Sequence, residues 1–70
     1  MKVYRYYCTH RPPVPGSIPR EGLTHIADFD WPQSFNGIPA HGWAEYNREL
    51  TEKEINDYEL AASPNNPLEY

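Results

Sequence analysis

The stretch LTHIADFDWPQSFNGIPAHGWAEYNR, residues 23–48, decides the fold, because it sets how many strands the chain holds. Leu23, His25, Ala27 and Phe29 alternate with Thr24, Ile26 and Asp28, which suits a short strand over residues 23–29. The following DWPQSFNGIPAHG, residues 30–42, carries Pro32, Pro39, Gly37 and Gly42, and Asn36-Gly37 is a strong turn dipeptide. It reads as a loop with at most a short hairpin. Residues 43–48 alternate again and predict a strand with Glu45 and Asn47 beside Trp43, and Ala44, Tyr46 and Arg48 opposite.

Upstream, residues 2–10 are rich in β-branched and aromatic types, and predict a strand with Val3, Arg5, Tyr7 and Thr9 on one face and Tyr4, Tyr6, Cys8 and His10 on the other. Pro12, Pro13 and Pro15 then remove three backbone donors, so the chain must leave the ladder and turn, with Gly16 and Ser17 supplying the turn. Downstream, LTEKEI, residues 50–55, is the best local signal: Thr51 is an N-cap, Glu54 completes a capping box, and Leu50 and Ile55 form a hydrophobic staple. The helix starts at Glu52 and is expected to run to Leu60 or Ala62, where Pro64 and Pro67 stop it. The fold expected is α+β: a small antiparallel sheet of two to three strands with one C-terminal helix packed on it. Residues 1–70 then form one small domain, with irregular Pro/Gly-rich loops near 11–22 and 30–42.

Seventy residues bury too little surface to enclose a large cavity, so function must sit on the surface. A lone cysteine, Cys8, forbids an internal disulfide and leaves ten aromatics (Tyr4, Tyr6, Tyr7, Phe29, Trp31, Phe35, Trp43, Tyr46, Tyr58, Tyr70) to build an aromatic core. No apolar run can span a bilayer and no secretory signal opens the chain, so a cytoplasmic location is expected. Charge is split. Residues 1–20 hold Lys2, Arg5, Arg11 and Arg20 with no acid, whereas residues 21–70 hold ten acids against Arg48 and Lys53. That asymmetry argues against direct nucleic-acid binding, which needs a continuous basic surface, and suits a basic protein partner.

Cys8 and His10, with His25 and His41 elsewhere, lack the paired spacing of a zinc site, and an ordinary polar strand explains them better. Cys8 as a nucleophile with a histidine base lacks an oxyanion hole in any motif. RPPVP has the P-x-x-P spacing of polyproline ligands, though a rigid loop accounts for it. The glycines match no phosphate cradle. No catalytic residue, metal or cofactor is therefore assigned.

Two surfaces remain. The acidic set Glu45, Glu49, Glu52, Glu54 and Asp57, near the helix, forms a candidate docking patch, with Trp31 and Phe35 as candidate anchors. The alternative set, Tyr4, Arg5, Tyr6 and Arg11, could stack on and neutralise a nucleotide, which in so small a chain requires a homo-oligomer to enclose the ligand.

Through YYCTHRPPVPGSIP and GWAEYNRELTEKEINDYEL, the chain resembles uncharacterised short proteins of bacterial phages and integrated mobile elements. The resemblance implies no active site. It implies a setting in which small acidic proteins bind and disable a host defence protein, such as a CRISPR nuclease. The function expected is thus that of a non-enzymatic anti-defence inhibitor; an oligomeric sponge for a nucleotide signal and a structural accessory domain are the alternatives.

Overall fold

The structure, a computed structural model, describes residues 2–14, 16–35 and 37–69. Pro15 of the P-x-x-P spacing, Asn36 of the turn dipeptide and the aromatic Tyr70 lie outside the described residues. The elements are β1 (Lys2–Cys8), β2 (Leu23–Phe35), β3 (Ile38–Tyr46), α1 (Glu52–Asp57), β4 (Leu60–Ala62) and β5 (Leu68–Glu69). All pairings are antiparallel, in the order β2-β3-β1-β4, with β5 also on β1.

The expected two- to three-stranded sheet with a C-terminal helix is overturned: the sheet has five strands, and two of them, β4 and β5, follow the helix; two stretches of the chain depart from the reading. First, residues 30–42 are mostly strand rather than loop: β2 and β3 form one long hairpin, with Phe35 opposite Ile38 and Gly37 at φ +81 in its turn. The prolines that suggested a loop sit where they cost little. Pro32 lies in the end strand β2, within a register shift, and Pro39 precedes the part of β3 that pairs with β1, which begins at Trp43. Gly42 is needed for close approach, since a Cβ there would meet the Ala27 carbonyl oxygen at 2.3 Å and the Pro13 ring at 2.6 Å.

Second, the helix stops at Asp57 instead of reaching Leu60 or Ala62. Its start is as read: Thr51 Oγ1 accepts from Glu54 N–H, and the Glu54 carboxylate accepts from Thr51 N–H. Its end is set by tertiary pairing. Glu59 adopts φ +54 and reverses the chain, so that Leu60–Ala62 pair with Tyr6–Cys8 and occupy a β1 edge that a longer helix would leave unpaired. Between β4 and β5, the Asn66 side chain takes the place of a peptide group: Arg5 N–H donates to its Oδ1 (2.8 Å) and its Nδ2 donates to Arg5 O (2.8 Å).

The alternation read in β1 and β3 places Tyr6, Cys8, Ala44 and Tyr46 in one core with Ile18, Leu50 and Leu60, against which Tyr4, Leu23, Ile55 and Tyr58 pack. Tyr6 and Tyr46 are its largest fully buried side chains and meet edge to face at 5.9 Å. Both hydroxyls are satisfied: Tyr6 Oη accepts from Leu50 N–H (2.9 Å) and Tyr46 Oη donates to Pro19 O (2.7 Å). Strands β1 and β3 stop short of the expected residues 10 and 48. Thr9 Oγ1 instead donates to Glu59 O, and Asn47 N–H to Gly22 O. Among the described residues, no helix is long and apolar enough to cross a membrane.

Candidate interaction surface

The acids read as one patch have separate fates. Glu45 is buried on the sheet, where its Oε2 accepts from Arg5 Nε (2.9 Å) and Nη2 (2.7 Å), and the same guanidinium lies 4.2 Å from the centre of the Trp43 ring. Glu54 is held by Arg48 through two bonds of 2.9 and 2.8 Å besides its cap bonds. The Arg48 guanidinium, then the Thr51 N–H, hold its carboxyl down at about 2, far below its ordinary 4.5. Asp57 is paired with Lys53 one turn away. Glu49 and Glu52 are exposed and make no ion pair among the described residues.

The aromatic anchors also part company. The Phe35 ring stacks on Tyr7 of β1 (5.0 Å, interplanar 4°) and leans on Phe29, and is half-buried. Trp31 is 79% exposed, the most open large apolar side chain described. It sits where β2 advances five residues, Asp28 to Gln33, while β3 advances two, Gly42 to Ala40, so the excess chain bows away from the ladder. Asp28 and Asp30 precede it on β2, both exposed and without an ion pair among the described residues. The strand order puts this site at the end of the sheet away from β4, the strand that α1 contacts, so the anchors and the helix acids form two surfaces. Of the two acids, Asp30 lay within the stretch read as loop and Asp28 in the short strand read over residues 23–29, and nothing in the sequence singled either out as part of a surface.

The alternative nucleotide set is not gathered. Strand alternation sends Tyr4 and Tyr6 into the core and Arg5 to the other face, where it is paired with Glu45, and Arg11 is paired with Glu59 at the surface. Cys8 is buried, and burial pushes its thiol up to about 11, which holds it in the unreactive protonated form. No group of three or more metal-ligating side chains occurs among the described residues.

A family model described as Defence against restriction A C-terminal matches residues 1–65. No curated protein and no solved structure matches the chain. The description agrees with the anti-defence theme that the two quoted phrases carry.

Proposed function

The chain belongs to the Defence against restriction A C-terminal family, and from that premise we propose that it counteracts a host defence nuclease, of a restriction or a CRISPR system, by binding it rather than by chemistry. The observation that carries this reading is Trp31, exposed on the end strand of the sheet directly after the open acids Asp28 and Asp30: an aromatic anchor beside two negative charges, suited to a basic protein surface of the kind that receives DNA. Glu49 and Glu52 extend the negative field and speed encounter without needing to be part of the anchor. Such a field is screened as the Debye length falls from about 10 Å at 0.1 M salt to about 3 Å at 1 M.

The test is DNA cleavage by purified restriction and CRISPR nucleases, with and without the chain, beside capture of host proteins on the tagged chain. The expected result is inhibition that weakens with salt, accompanied by retention of the nuclease or one of its subunits. Unchanged cleavage, no retained defence subunit and unaltered phage and plasmid interference on expression would together overturn the reading.

A further inference from the structure

The edge of β2 away from β3 has no strand on it among the described residues, and the hydrogen bonds two strands away show which peptide groups face it. Arg5 N–H donates to Asn66, and Arg5 O accepts from Ser63 N–H (2.9 Å) and Asn66. Both peptide groups of Arg5 therefore point away from β3, which makes Arg5 and Glu45 a non-hydrogen-bonded pair and Tyr6 and Ala44 a hydrogen-bonded one. Ala44 thus directs its peptide groups at β1, and its other neighbour, Ile26, receives none of them. The N–H and C=O of Ile26 point outward from the sheet, as do those of Asp28 in the same register opposite Gly42. Among the described residues β2 pairs with β3 alone. Beside this edge, Leu23, Thr24, His25 and Ile26 line an open depression of about 330 Å³.

We infer that β2 accepts an extended cationic segment of the protein partner as an added strand along residues 24–28, with lysine or arginine side chains reaching Asp28 and Asp30 and Trp31 closing over its end. This deepens the inhibitor reading above and rests on it for the partner's identity. The outward peptide groups supply the ladder bonds. Pro32 and the bulge limit the docked length, and a strand of about five residues spans about 17 Å. Charge selects the occupant. A second copy of β2 would bring Asp28 and Asp30 of both chains onto one ribbon, where like charges oppose pairing, whereas a cationic strand neutralises them.

The probe is a short capped peptide alternating lysine with valine, titrated into the full chain and followed by amide NMR and hydrogen exchange. The expected result is movement of the Ile26 and Asp28 amide signals, with their exchange slowed about tenfold or more. The same peptide N-methylated at alternate residues loses binding. The double variant Asp28→Asn with Asp30→Asn binds several-fold more weakly, and Ile26→Pro, which removes an outward N–H but no bond to β3, does not bind. If Ile26→Pro fails to fold, the N-methylated peptide on the unaltered chain decides the matter. Signal changes confined to Glu49 and Glu52, equal binding of the N-methylated peptide or of a glutamate–valine peptide, or pairing of two copies through β2 would each overturn the inference. An Ile26→Pro chain that still inhibits the nuclease would sink this inference and spare the inhibitor reading. Peptide docking at β2 without inhibition of any nuclease would do the reverse.

Discussion

β1 and β2 are both aromatic-bearing strands of one sheet, yet Tyr6 of β1 is 1% exposed and Trp31 of β2 is 79% exposed. The side chains differ less than their positions. β1 has β3 on one edge and β4, Asn66 and β5 along the other, so its backbone is bonded on both sides and its rings are covered by elements from the rest of the chain. β2 ends the sheet, and Asp28, Asp30 and Pro32 along it are the residues with which an open edge is kept from pairing indiscriminately. An aromatic residue is therefore buried or left in water according to how many strands flank it.

The contrast breaks most visibly at Tyr6. Tyr6→Ala opens a cavity beside Tyr46 and removes the acceptor of Leu50 N–H, and should cost about 4 kcal/mol, much of the margin of so small a domain. Urea denaturation followed by circular dichroism measures it. A loss below about 1 kcal/mol would mean that β1 is not the centre of the core.

Asn66→Ala tests whether the second edge of β1 depends on a side chain. It leaves the N–H of Arg5 without its partner and should cost about 2 kcal/mol, with faster amide exchange at Arg5 than at Tyr6. Equal exchange at the two amides would show that β4 and β5 hold the edge without it.

At the helix, Thr51→Ala should cost about 1 kcal/mol by thermal melting. The partner in that cap also titrates. Because the Glu54 carboxyl is lower in the folded state than its ordinary 4.5, its stabilising contribution is complete above that pH and is lost as pH falls towards about 2. Melting temperature should therefore decline across that window, and Glu54→Gln should flatten the decline. An identical acid profile for the two chains would contradict the Arg48 and Thr51 bonds.

The smallest effect is expected at Trp31. Trp31→Ala should change stability by less than about 0.5 kcal/mol, since an exposed ring contributes little to the core, while the anchoring role proposed for it predicts weaker capture of the nuclease. A large fall in melting temperature would turn the comparison around and make β2 a packed strand.

Much of this was legible in the residues. The faces of β1 and β3 follow from period-two alternation, and the start of α1 from Thr51, Glu54 and Leu50, because caps and pleats are local geometry that a few neighbouring residues determine. Residues 30–42 were not legible, since Pro32, Pro39 and Gly42 are breakers in isolation and become tolerable only at an end strand, beyond the reach of β1, or beneath Pro13. The candidate site was read in part: Trp31 and the acids Glu49 and Glu52 are open, but Glu45 is held by Arg5, a residue forty positions away.

The amino-acid sequence by itself determined the strand alternation of β1, the capping box and the acidic balance after residue 20, all of which depend on side chains and their nearest neighbours. Only the tertiary structure decided that α1 ends at Asp57, that Leu60–Ala62 become a strand and that Trp31 stays in water. The physical reason is common to the three: each depends on which backbone groups of β1 and β2 find a partner, and hydrogen bonds between residues far apart in the chain settle that.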